Sequence, residues 1–166
     1  MDVSIRPVRP EEHEVLGEIT AQAYLGDGLL SFGADDPYLR QLRAVGRRAA
    51  EAEVLVALGA GDELLGGVTY VGPGSPWADV AGEGEAEFRM LAVSPEARGR
   101  GAGEALVRAC IDRARTAGGL TGLVLSTQPA MRGAHRIYRR LGFVRTPERD
   151  WAPLPNLPLL TFRLEL

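Results

Sequence analysis

The chain has 166 residues, enough for one hydrophobic core and short for two, so a single domain over 1–166 is expected. It is 45% hydrophobic and 25% charged, ordinary for a globular protein, and its net charge of -3 with a pI near 5.5 argues against general nucleic-acid binding. A single cysteine, Cys110, excludes an internal disulfide framework; the acidic N-terminus lacks a signal-peptide pattern, and no apolar run approaches the roughly 20 residues of a membrane span, so a cytoplasmic protein without membrane contact is expected.

Residues 3–9 alternate apolar and polar side chains and predict a strand. Pro10, Glu11 and Glu12 suit the first turn of a helix, where the dipole favours acids, and that helix is expected to run to about Tyr24. Residues 26–37 read as a loop, with Asp36 as N-cap and Pro37 opening a second helix to about Ala52. A hairpin over 52–72 follows, turning at 59–62, and then a Pro/Gly-rich loop at 73–85. Residues 86–93 predict a further strand. After a glycine cluster, Ala102, Ala105, Leu106, Ala109 and Cys110 mark one face of a helix ending near Ala117. Residues 122–127 read as a buried strand, to be joined to 86–93 by a right-handed parallel crossover. Ala134, Ile137, Tyr138 and Leu141 fall at i, i+3, i+4, i+7 and predict a short helix stopped by Gly142. The segments at 143–146 and 159–166 are expected to be the last two strands.

The stretch 96–106, EARGRGAGEAL, places three glycines and two arginines before a helix. A helix N-terminus carries unpaired N–H groups and partial positive charge, and glycines remove the side chains that would hold a ligand away. Together they make an anion site. It is not the nucleotide loop G-x-x-x-x-G-K, because no lysine follows, and the dinucleotide spacing G-x-G-x-x-G fails from both Gly99 and Gly101.

The stretch EFRMLAVSPEARGRGAGEAL resembles the acyl-CoA-binding motif of the GNAT N-acetyltransferase family: Arg or Gln, two free positions, Gly, one free position, then Gly or Ala. Here it reads Arg98, Gly99, Arg100, Gly101, Ala102, Gly103. A second family motif stands at the right distance in AHRIYRRLGF, residues 134–143, and the resemblance covers residues 3–146. It implies the α/β (α+β) acyl-CoA N-acyltransferase fold, a mixed, mostly antiparallel sheet with about four helices and a V-shaped split at strand 86–93. It also implies acetyl-CoA as cosubstrate. The pantetheine arm would pair with backbone of Leu91, Ala92 and Val93. The diphosphate would take amides from Gly99, Gly101, Ala102 and Gly103, with charge from Arg98 and Arg100. Relatives often carry an asparagine seven residues before the motif tyrosine; here Met131 stands there, and the expectation is either that Ser126 or Thr127 compensates or that coenzyme binding rests on backbone contacts alone.

Acetyl transfer needs a free amine. An alkylammonium with a pKa of about 10.4 costs about 4–5 kcal/mol to deprotonate at pH 7. A base near the amine and an acid near the departing sulfur are therefore wanted. Glu87 is the base candidate, weighed against a solvated carboxylate sharing its strand face with Arg89. Tyr138, matching the family's tyrosine, is the acid candidate, weighed against a core residue with its hydroxyl tied off. His135 is expected at the surface and Cys110 in packing. With His13, His135 and one cysteine, no metal is expected. Asp27, Asp35 and Asp36 read as an ordinary acidic loop with a helix cap, weighed against attraction of a cationic amine, and Tyr24, Trp77 and Trp151 as aromatics that could line an acceptor pocket, weighed against no such role. The resulting expectation is an N-acetyltransferase acting on an unidentified primary amine, with a homodimer allowed. The competing reading is a non-catalytic acyl-CoA-binding module.

Overall fold

The structure, a computed structural model, describes residues 2–166. The alternating N-terminal segment forms β1 (Ser4–Pro7). A 3-10 turn at Pro10–Glu12 leads into α1 (His13–Gly26), with Glu12 accepting the Arg9 amide at 2.9 Å and pairing with Arg6 at 2.8 Å. The helix expected over 37–52 is broken at Ala44 into α2 (Tyr38–Arg43) and α3 (Val45–Glu51). The break has a physical cause. The buried Arg48 of α3 folds back to donate to the α2 carbonyls of Gln41 and Leu42, and so caps a helix end that would otherwise lack partners. Asp36 caps the start, accepting the Tyr38 amide at 2.9 Å.

The hairpin forms as β2 (Glu53–Leu58) and β3 (Leu64–Val71), followed by β4 (Glu85–Val93), α4 (Ala102–Ala117) and β5 (Gly122–Thr127). Then come α5 (Arg132–Arg140), β6 (Val144–Arg145), β7 (Trp151–Leu154) and β8 (Leu157–Glu165). The sheet order is β1-β2-β3-β4-β5-β8-β6, with β7 paired to β8. Every pairing is antiparallel except β4 with β5, which is parallel as the α4 crossover predicts. The strand β7 was not read from sequence. Pro153 masks it, and an edge strand tolerates the missing N–H. The five helices exceed the expected four because of the break at Ala44.

The sheet is covered on both faces. Against one face α4 packs Leu106, Val107 and Cys110 on Leu55, Val68, Phe88 and Leu123. Against the other lie α1, α2 and α3, with Leu16, Leu39, Leu42 and Val45. The buried face of α4 is rotated from the expected one: Val107, Ile111 and Ala114 are buried, while Ala105 and Ala109 are only half-buried.

Two features of β4 shape everything near the site. Thr69 opposes Arg89 and Gly67 opposes Ala92, so Val68 faces two residues, Met90 and Leu91. This is a β-bulge, and Met90 sits in the left-handed region at φ 56°. The extra residue inverts side-chain parity: Ala86 and Phe88 pack toward α4 before it, Leu91 and Val93 after it, while Met90 joins the opposite cluster. Second, β4 pairs with β5 only at Glu85, Ala86 and Glu87. Beyond Glu87 the strands part; β4 stays with β3 and β5 with β8.

Candidate functional site

The parted strands open a groove of about 880 Å³. One wall is the free edge of β4 at Leu91, Ala92 and Val93, whose opposite edge is held by β3. At its end lies the glycine turn. Gly99 and Gly101 have φ of 82° and 83°, and a side chain built on either would meet nothing within 4 Å. These positions require glycine for their conformation, and their open side is the groove. The N–H groups of Gly99, Arg100 and Gly101 make no hydrogen bond among the described residues, and those of Ala102, Gly103 and Glu104 are the unpaired first-turn donors of the 16-residue helix α4. A trough with bare amides and a helix dipole at one end fits a diphosphate group.

Both arginines of the motif are already ion-paired, Arg98 at the wall of the groove and Arg100 outside it. Arg98 pairs with Asp27 at 2.8 Å and Arg100 with Glu63 at 3.1 Å, and Arg100 does not line the groove. The sequence reading missed a second source of positive charge: Arg132, Arg136 and Arg140 of α5 all line the groove. Their spacing of four was the available signal, since it puts all three on one helical stripe. Arg140 is held by Glu104 at 2.7 Å. Met131, at the position where an asparagine was expected, also faces the groove.

A second cavity of about 560 Å³ joins the first at Tyr24, Leu29, Leu91 and Met131, which line both. Glu87 and Tyr138 are both on its wall. Glu87 is fully buried, which overturns the alternative of a solvated strand carboxylate. Its Oε1 accepts the amides of Asp79, Val80 and Ala81 at 2.9–3.0 Å, and its Oε2 is buried with no partner. Burial pushes its carboxyl above the usual range, against the opposing pull of the three amides. Arg89 does share its face, and is tied to Asp79 at 3.1 Å, the Trp77 carbonyl at 2.8 Å and the Tyr38 hydroxyl at 3.1 Å.

Tyr138 is buried among Phe88, Phe143 and Phe162, with ring centroids 5.7–5.9 Å away. Its hydroxyl makes no hydrogen bond among the described residues, so the alternative of a tied-off core tyrosine does not hold. Burial pushes its phenol pKa upward, which keeps it protonated at neutral pH.

Other expected residues fall in different places. Ser126 lies in the second cavity, not in the groove, and accepts the Trp151 indole N–H at 3.0 Å. Trp151 lines that cavity, whereas Trp77 is buried and donates to Glu51 at 2.9 Å. His135 is buried, contrary to expectation. Its Nε2 lies 3.1 Å from the Gln128 carbonyl, so that nitrogen carries the proton, and 3.2 Å from the Thr127 hydroxyl. Burial lowers its pKa, so the ring is neutral. Cys110 is fully buried with its thiol pushed up, a packing residue and not a nucleophile. No group of three metal-ligating side chains occurs among the described residues. No helix there is long and apolar enough to cross a membrane.

The model of the acetyltransferase (GNAT) family matches residues 18–143. Among solved structures, an acetyltransferase of the GNAT family from Staphylococcus aureus Mu50 aligns with TM-score 0.75 at 15% identity, over 99% of each chain. A GNAT superfamily phosphinothricin acetyltransferase from Sinorhizobium meliloti, solved in complex with acetyl-CoA, aligns with TM-score 0.73 at 20% identity, over 100% of this chain and 89% of that one. The ribosomal-protein-alanine N-acetyltransferase of Brucella melitensis aligns with TM-score 0.73 at 22% identity, over 98% and 99%. No match was found among curated proteins.

Proposed function

Because this chain belongs to the GNAT family of acetyltransferases, we propose that it transfers an acetyl group directly from acetyl-CoA to a primary amine, with Glu87 as base and Tyr138 as acid. The observation that carries this reading is the junction of two spaces. A groove ending in unpaired amides meets, at Leu91 and Met131, a cavity whose wall holds a buried carboxylate and an unbonded phenol.

When bound, acetyl-CoA supplies a thioester carbonyl and a thiolate leaving group. The amides of Gly99, Gly101, Ala102 and Gly103 would hold its diphosphate, Arg132 and Arg136 would add charge, and the free edge of β4 at 91–93 would offer backbone groups to the pantetheine arm. Glu87 Oε2 takes a proton from the incoming ammonium, which frees the nitrogen lone pair to form the new C–N bond. Tyr138 gives its proton to sulfur as the C–S bond breaks with its electron pair on sulfur, and recovers a proton from the acylated nitrogen. The balance is ammonium plus thioester to amide, thiol and one released proton. The raised pKa of Glu87 makes it, once ionised, a stronger base than an ordinary carboxylate.

The test is to mix the protein with acetyl-CoA and a panel of primary amines and follow released thiol, with calorimetry of coenzyme binding alongside. Saturable binding with amine-dependent thiol release is expected. Saturable binding with no release for any amine would replace the enzyme by an acyl-CoA-binding module, and no binding heat at all would remove both readings.

A further inference from the structure

The second cavity is charged in a particular way. Four charged side chains face it: Asp36, Asp79, Glu87 and Arg89. Three are already satisfied. Arg89 is spent on Asp79, Trp77 and Tyr38, which also occupies Asp79. Asp36 accepts the amides of Phe32 and Tyr38 at 3.2 and 2.9 Å. Glu87 Oε2 is different: it is buried and has no hydrogen-bond partner among the described residues. The three tyrosines on the wall, Tyr24, Tyr38 and Tyr138, all have raised pKa values and are neutral. The remaining wall is mostly apolar, with Phe32, Leu157, Leu159 and Trp151 among its members.

These facts select a ligand. A nitrogen cation finds a buried carboxylate oxygen with no other donor. A carboxylate, phosphate or sulfonate on the same molecule finds no free cation, because the only guanidinium is already neutralised and hydrogen-bonded. The volume, about 560 Å³, is that of a small-molecule site. We propose that the acceptor is a small primary amine on an uncharged apolar or aromatic body, bound with its nitrogen at Glu87 and its body against Phe32 and Trp151, and that free α-amino acids are excluded. The identity of the reaction rests on the acetyl-transfer reading above; the binding preference does not.

A matched pair isolates the claim: 2-phenylethylamine and L-phenylalanine differ by one carboxylate. Each is titrated calorimetrically into protein saturated with coenzyme A, and each is assayed for thiol release from acetyl-CoA. The amine is expected to bind, and to be acetylated with kcat/KM, at least about 100-fold better than the amino acid, since the carboxylate would be desolvated without a partner. Phenylalanine within tenfold of the amine in either readout, or a lysine peptide acetylated faster than the amine, overturns the proposal. Selective amine binding without turnover supports the pocket's preference while defeating the acetyl-transfer reading. Coenzyme binding with neither compound bound overturns the preference alone. Trp151→Ala should raise the KM for phenylethylamine about tenfold, the order expected for losing one aromatic wall, with coenzyme affinity unchanged. An unaltered KM would also count against the proposal.

Discussion

Burial raises the pKa of both Glu87 and Tyr138, and the same direction of shift would serve the opposite roles proposed for them. A carboxyl with a raised pKa is a stronger base when ionised, and a phenol with a raised pKa stays a proton donor. Tyr138→Phe should lower turnover about 100-fold or more, the usual span of a positioned acid, while calorimetry finds coenzyme affinity nearly unchanged; unaltered turnover would remove Tyr138 from the acid role. Glu87→Gln retains a carbonyl for the three amides of residues 79–81 and loses the base. Its rate at neutral pH should fall, then partly recover at high pH where the amine loses its own proton, and a pH profile parallel to the parent would reject the assignment. The stability sign runs the other way from an ion-paired acid. A carboxyl whose folded pKa is raised contributes stability below its unfolded value of about 4.3 and loses it as pH rises through the folded value. Glu87→Gln should therefore unfold no earlier than the parent above neutral pH.

At the scale of elements, the glycine turn and the bulge in β4 do complementary work. The turn exposes the first amides of α4 to the groove, and the bulge shifts side-chain parity so that Glu87 and Arg89 face the second cavity while Leu91 and Val93 return to the α4 side. Gly101→Glu would force a side chain into the left-handed region, at roughly 1–2 kcal/mol, and would place a carboxylate in the groove where a diphosphate belongs. Coenzyme binding should disappear from calorimetry while circular dichroism remains that of a folded protein. Binding at the parent's affinity would show that these amides do not hold the anion. Helices were legible where their own periodicity carried them, as in α4 and α5. The break between α2 and α3 was not, because it depends on Arg48 reaching back to carbonyls six and seven residues earlier.

Over the whole molecule, Glu85 ties the start of β4 to the turn before β7 and to β8. It pairs with Arg149 and Arg163, each at 2.8 Å, and the first of these is the main reason its carboxyl is held down to about 2. A depressed folded pKa contributes stability above the unfolded value of about 4.3 that is lost as pH falls toward 2. For a carboxylate this buried, that contribution is on the order of 2–4 kcal/mol. Acid unfolding of the parent should steepen in that window, and Glu85→Gln should be less stable at pH 7 yet show a shallower decline below pH 4. A decline of equal slope would mean that other carboxylates carry the acid response. The likeness to solved acetyltransferases over nearly the entire chain belongs to this scale too, since it is one of architecture at low identity.

Local pattern alone determined most of the strand and helix order, the glycine turn from Arg98 to Gly103 and the place of Tyr138 on α5, because each depends on residues within a few positions of one another. Only the tertiary structure decided that Glu87 is buried and not solvated, that His135 is a neutral core residue, that Ser126 lies away from the groove and that Arg98 is paired with an aspartate 71 residues distant. Burial and ion pairing are set by what other parts of the chain bring against a residue, and no periodicity in its own neighbourhood encodes that.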